Sequence, residues 1–321
     1  MARSGSGRER SVHVERVLLP PGSMLLKDPM DRRMAPSREG DVAIIGVPWD
    51  WSVTGRPGAR DAPSAIRREL YRMTSHSPGL GSDISCSLVD LGDVAVAPGD
   101  YSLTGSRIRS ASREAFSRYP LAVFLGGDHS ITLHTVMGLL ETVDSVGVLV
   151  MDSHYDLRSV SEGLTSGSWL WDLYTAAGDR IACSAVIGVS DYSNPGYLAG
   201  RARELGITIV PRLRLVGGLE SALEAVDAMA GCGADAYYVS IDMDHIDEAH
   251  APGVNSPTPL GMEPLESLQV LAHASARLNP KGLDVVETVP MADPGGRTPR
   301  LAAKLILYSL SHHGVCSRAK G

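Results

Sequence analysis

From Asp41 onward, short β-branched runs alternate with stretches of helical periodicity, and this rhythm constrains the fold more than any other feature. The apolar runs are Val42–Val47, Leu88–Leu91, Leu121–Leu125, Val146–Met151, Ala185–Val189, Ile207–Val210, Tyr237–Ile241 and Leu283–Val286. Between them, helical patterns fall near Pro63–Tyr71, Ser106–Ser117, Ile131–Glu141, Tyr197–Leu205, Leu219–Met229, Glu263–Arg277 and Pro299–Ser311. Strands that alternate with helices pair in parallel through crossovers. Runs such as Val148-Leu149-Val150-Met151 are apolar on both faces, as a sheet covered by helices on both sides requires. An α/β domain with one mainly parallel sheet of eight strands follows, spanning residues 41–321. No Gly/Pro/Ser-rich linker divides it.

Residues 1–40 read differently. They hold eight basic and five acidic residues, a Pro20-Pro21 pair and no sustained periodicity. The segment is expected to be a loosely ordered N-terminal arm. The whole chain has 321 residues, 43% apolar, which is enough for a full core. No apolar run reaches the ~18 residues of a membrane span, and no leader pattern opens the chain, so a cytoplasmic protein is expected. The net charge of −7 argues against a sequence-independent nucleic-acid binder. Cys86, Cys183, Cys232 and Cys316 lie far apart with no CxxC spacing, which argues against a disulfide framework and a cysteine zinc site.

In open α/β sheets, ligands bind outside the carboxyl ends of the strands. Polar residues cluster at four such ends. Gly126-Gly127-Asp128-His129-Ser130 follows one run and precedes a helix, and it also fits a plain helix cap with Asp128 or Ser130 as acceptor. It lacks the lysine of a phosphate loop. Asp152-Ser153-His154-Tyr155-Asp156 follows another run, and in extended chain its three ionisable side chains share a face. Burying them together is costly unless a cation neutralises them. Asp242 and Asp244 in Ser240-Ile241-Asp242-Met243-Asp244 share a face by the same period, although the acidic stretch that follows also fits a solvated turn. His245 and His250 lie just beyond the strand end and fit ordinary loop histidines better than ligands. Glu287 closes the last run, where a structural ion pair is the alternative. Imidazole and carboxylate donors without thiolate suit a hard to borderline divalent metal such as Mn²⁺. Four carboxylates balance two divalent ions, and water on such ions ionises readily. A single structural Ca²⁺ site would favour oxygen donors over histidine.

In this order and spacing the motifs resemble the ureohydrolase family of arginases, agmatinases, guanidinobutyrases and formimidoylglutamases. The family pattern of GGDHS, DAHxD, SxDxD and a late EVxP is matched by GGDHS at 126–130, DSHYD at 152–156, SIDMD at 240–244 and ETVP at 287–290. Gly46-Val47-Pro48, the RPGAR stretch at 56–60 and Ala251-Pro252-Gly253 are similar to further family segments.

The resemblance implies the three-layer α/β/α arginase-type fold and two Mn²⁺ per subunit. One ion would take His129, Asp152, Asp156 and Asp242, and the other His154, Asp152, Asp242 and Asp244. A bridging hydroxide would attack the amidine or guanidine carbon. Asp156 would orient it and shuttle its proton, and Glu287 would bind the cationic amidine. The products would be an amine with urea or formamide. Arg158 matches the arginine of formimidoylglutamase-like members and suits a substrate carboxylate, with a surface ion pair as the alternative. Ser166 of the Ser166-Gly167 pair would contact substrate or cap the next helix. Trp169 and Leu170 stand where arginases and agmatinases carry a shuttling histidine, and Trp169 and Trp171 would wall the pocket or pack a helix. Ser153 replaces the family's usual alanine, Ala62 a usual glycine, and Thr288-Val289 depart after the late glutamate.

The expected substrate is a small amidine or guanidine that also carries a carboxylate. Formimidoylglutamate, giving glutamate and formamide, comes first. A guanidino acid comes next, ahead of agmatine or arginine. A homo-oligomer, trimer or hexamer, is implied as well. A non-catalytic metal-binding member and a metallophosphoesterase are the rivals. All six metal positions argue against the first, and the missing Asn-His or His-x-His motif against the second.

Overall fold

The computed structural model describes residues 18–19, 34, 36–37 and 39–317. Its strands are β1 (Leu18–Leu19), β2 (Val42–Gly46), β3 (His76–Ser77), β4 (Ser82–Asp83), β5 (Leu88–Val94), β6 (Leu121–Leu125), β7 (Val146–Met151), β8 (Ile181–Val189), β9 (Thr208–Pro211), β10 (Ala236–Asp242) and β11 (Gly282–Val286). The helices are α1 (Ala62–Leu70), α2 (Tyr101–Arg118), α3 (Ile131–Leu140), α4 (Trp169–Ala177), α5 (Gly196–Glu204), α6 (Glu220–Ala230), α7 (Pro264–Leu278) and α8 (Arg297–His312).

The main sheet runs β1-β5-β2-β6-β11-β10-β7-β8-β9. Eight of its strands are mutually parallel, as the alternating pattern predicts, and β1 adds an antiparallel edge on β5. The strands β3 and β4 form a separate short hairpin. Most of the arm expected over residues 1–40 lies outside the described residues. Within it, β1 pairs with Asp93 and Val94, and Met34 is buried.

Side chains alternate across the sheet and feed two cores, making three layers. Val42, Ile44, Val123, Leu149 and Val285 join α1, α6, α7 and α8 on one face. Ala43, Ile45, Phe124, Val148 and Val150 join α2, α3, α4 and α5 on the other. Each such branched or aromatic side chain stabilises the fold by about 1.5–3 kcal/mol on burial. Among the described residues no helix is long and apolar enough to cross a membrane.

Two features depart from the sequence expectation. Helix α4 is absent from the predicted stretches, because its Trp-Leu-Trp-Asp-Leu-Tyr start is rich in aromatic residues of middling helix propensity. The cysteines, whose spacing argues against a disulfide framework, form two disulfides instead. Cys86 bonds Cys316 and Cys183 bonds Cys232, with Cα–Cα distances of 4.4 and 6.2 Å. Their sequence separations of 230 and 49 residues are closed by tertiary packing, to which a local spacing rule is blind.

Candidate metal centre

The four polar strand ends become one site because β6, β11, β10 and β7 are consecutive neighbours in the sheet. All four point their carboxyl ends the same way, so the loops after them share one crevice. Gly127 permits the first loop: a Cβ there would sit 1.6 Å from the Trp49 carbonyl oxygen. Asp128 ties that loop down, accepting from Ser52 N at 2.8 Å and from the Ser130 amide and hydroxyl. It fastens the loop rather than capping α3, whose N-cap residue Ser130 makes no side-chain cap hydrogen bond. Asp156 and Glu287 both adopt positive φ, 52° and 62°. Such backbone is costly for residues with side chains and clusters at functional sites.

The six expected metal ligands converge. His129 Nδ1 lies 3.2, 3.0 and 3.0 Å from carboxylate oxygens of Asp152, Asp156 and Asp242. His154 Nδ1 lies 3.0 Å from Asp244 Oδ2 and 3.4 Å from Asp152 Oδ1. The groups His129-Asp152-Asp156 and Asp152-His154-Asp244 each present donor atoms within 4.8 Å of one another, so Asp152 belongs to both.

Behind His129 lies a network that the motifs do not reveal. Asp284, fully buried in β11, accepts from Ser240 Oγ at 2.6 Å, Thr132 Oγ1 at 2.7 Å and Tyr238 OH at 2.8 Å. Ser240 has spent its proton on Asp284, so at 2.9 Å it receives the N–H of His129 Nε2. That leaves the Nδ1 lone pair facing three carboxylates. Among the described residues, His129 Nδ1 and Asp152 Oδ2 are buried without a hydrogen-bond partner. A lone pair crowded by anions in a dry site is untenable alone and apt as a cation's ligand set. Without a metal, the same carboxylates draw a proton to that position. Burial lowers the His129 pKa, but Asp152, Asp156 and Asp242 raise it by more, well above the usual imidazole value. Asp156 is pushed up to about 6, by burial first and by Asp152 second. These residues fit divalent metal ions.

A cavity of about 230 Å³ opens over the cluster. His154, Asp156, Arg158, Ser166, Asp242, Asp244 and Glu287 all line it. Glu287 Oε1 accepts from His129 N at 2.8 Å, while Oε2 is buried and unpartnered. Burial, and next the Asp128 charge, push Glu287 up to about 8. Among the described residues it makes no ion pair. The Arg158 side chain is exposed at the cavity wall, with no ion pair among the described residues. Ser166 is buried, its N–H bonded to Ser52 O at 2.8 Å, and the cap of α4 is Ser168 instead. His245 is buried between Asp242 O and Ser267 Oγ, and His250 pairs with Glu263, so both stand apart from the cluster. Trp169 is buried beside His129, inside the apolar cluster rather than on the cavity wall.

The arginase family pattern matches residues 40–311. A formimidoylglutamase of Halobacterium salinarum is 37% identical over 280 residues, 84% of this chain and 87% of that protein. Among solved structures, formimidoylglutamase of Bacillus subtilis superposes with a TM-score of 0.82 at 26% identity, covering 92% of this chain and 95% of the other. Proclavaminate amidino hydrolase of Streptomyces clavuligerus superposes at 0.79 with 28% identity, covering 93% and 99%.

Proposed function

The chain belongs to the arginase family, and on that premise we propose that it hydrolyses formimidoylglutamate to glutamate and formamide with two Mn²⁺ per subunit. It is a hydrolase of C–N bonds in linear amidines or guanidines. One observation carries the substrate reading. The same small cavity holds a buried, unpartnered carboxylate oxygen of Glu287 and a guanidinium of Arg158 without an ion-pair partner among the described residues. A molecule with a cationic amidine and a carboxylate satisfies both. The likeness to formimidoylglutamases supports the same choice.

In this reading His129, Asp152, Asp156 and Asp242 would hold one ion, and His154, Asp152, Asp242 and Asp244 would hold the other. When bound, the ions supply water ionised at neutral pH as the nucleophile. Glu287 Oε2 accepts an N–H of the amidinium and sets its planar carbon over the cluster. Arg158 takes the substrate carboxylate two-pronged. Ser166 packs against the bound chain. Asp156 receives the proton released as the C–O bond forms and delivers it to the departing nitrogen as the C–N bond breaks. Water, amidinium and products then balance, and the nitrogen leaves as the amine of glutamate. A trimer or hexamer in the cytoplasm belongs to the same proposal and rests on the family alone.

A guanidino-acid hydrolase releasing urea uses the same two anchors, and the likeness to proclavaminate amidino hydrolase favours it as the second reading. A panel of formimidoylglutamate, guanidinobutyrate, guanidinopropionate, arginine and agmatine, assayed with Mn²⁺ for formamide and urea, separates them. Formamide from the first is expected. Urea from a guanidino acid moves the substrate and keeps the anchors, and a preference for agmatine contradicts the role of Arg158.

A further inference from the structure

Asp156 is gripped by the start of helix α4 through both its backbone and its side chain. Its carbonyl accepts from Leu170 N at 3.2 Å and Trp171 N at 3.3 Å. Its carboxylate Oδ2 accepts from the indole Nε1 of Trp169 at 2.8 Å. The same indole lies on the imidazole of His129, with centroids 4.8 Å apart and planes 33° from parallel. Trp169 is 1% exposed and packed in the apolar cluster with Leu157, Leu170 and Leu173, so the ring has no room to swing. One rigid side chain thus touches two of the residues assigned to one ion.

A tryptophan kept only for packing needs some acceptor for its buried N–H. Here the acceptor is a carboxylate assigned to bind a cation, and the two uses compete unless the hydrogen bond sets the carboxylate's orientation. Indole suits that task. It has two side-chain torsions, donates one hydrogen bond, and neither gains nor loses a proton near pH 7. It steers Asp156 without altering the charge of the cluster. The strained backbone of Asp156, at φ 52°, calls for such outside support.

We propose that Trp169 is a positioning residue, which fixes Asp156 by its N–H and His129 by its ring and so pre-forms one half of the metal centre. The proposal rests on the two-ion reading given above. Three full-length proteins test it: wild type, Trp169→Phe, and a chain with 3-benzothienylalanine at 169, in which sulfur replaces the N–H and the ring shape is kept. Each is stripped with chelator and titrated with Mn²⁺ in a calorimeter, then assayed for formamide release. Wild type is expected to bind two ions. In the benzothienyl protein one binding event should weaken tenfold or more, the scale of a hydrogen bond to a charged group, while the melting temperature stays within a few degrees. Its kcat should fall by a similar factor with KM within twofold. Trp169→Phe should fall at least as far. Wild-type affinities and kcat in the benzothienyl protein would overturn the proposal and leave Trp169 a packing residue. A wild-type chain that binds no manganese would instead overturn the two-ion reading beneath it.

Discussion

At the scale of single residues, the proposed site is a set of charges whose partners would come from outside the chain. Arg158 tests this most simply. Arg158→Ala should raise KM about 30- to 160-fold for a carboxylate-bearing substrate, the cost of about 2–3 kcal/mol for a charge-assisted pair, and leave agmatine turnover unchanged. Equal losses on both substrates would show that the arginine serves the fold. Glu287 makes a pH prediction. In the cation-free protein its folded value, about 8, lies above the ordinary carboxylate value, so the fold favours the protonated form. That stability is complete below about pH 4.3 and is lost as pH rises towards the folded value. Between pH 5 and 8 the melting temperature of the stripped wild type should therefore fall by a few degrees relative to Glu287→Gln. A pH-independent gap between the two melting curves would contradict this.

The residues legible in the sequence are those that interrupt an apolar run at its end. His129, Asp152, His154, Asp156, Asp242, Asp244 and Glu287 are all of this kind. Asp284 and Trp169 escape the same reasoning for opposite reasons. Asp284 stands inside a strand, where its three hydroxyl donors come from elements distant in sequence. Trp169 looks like core, and is core, and only the direction of its N–H marks it.

At the scale of elements, period-two and period-3.6 patterns located all eight parallel strands and seven of the helices to within a few residues. The order β6-β11-β10-β7 was not readable, because pairing between strands that are distant along the chain, such as Ala122 of β6 with Gly282 of β11, leaves no local trace. That order makes the centre, and it places Asp284 of β11 beside Ser240 of β10 in register. The network from Asp284 through Ser240 to His129 should hold the imidazole in its metal-facing tautomer. Asp284→Asn is then expected to weaken manganese binding about tenfold, measured by competition with a chelator of known affinity. Unchanged affinity would mean that Asp284 serves only to satisfy buried hydroxyls.

At the scale of the whole molecule, the disulfide between Cys86 and Cys316 fastens the segment just after α8 beside β5 and closes a span of 230 residues. A loop of that length limits the unfolded chain by about 5 kcal/mol in the chain-entropy account. Cys316→Ser should lower the melting temperature by several degrees without changing kcat, since neither cysteine approaches the cavity. An equal melting temperature in wild type with and without reductant would show that the bond adds nothing.

The central claim is that two divalent cations complete a centre built from four neighbouring strand ends. Chelator-stripped protein titrated with Mn²⁺ against formimidoylglutamate tests it most directly. Formamide release should be absent without metal and should saturate at two equivalents per chain. Turnover that is independent of divalent metal, or that saturates at one equivalent, would contradict the account.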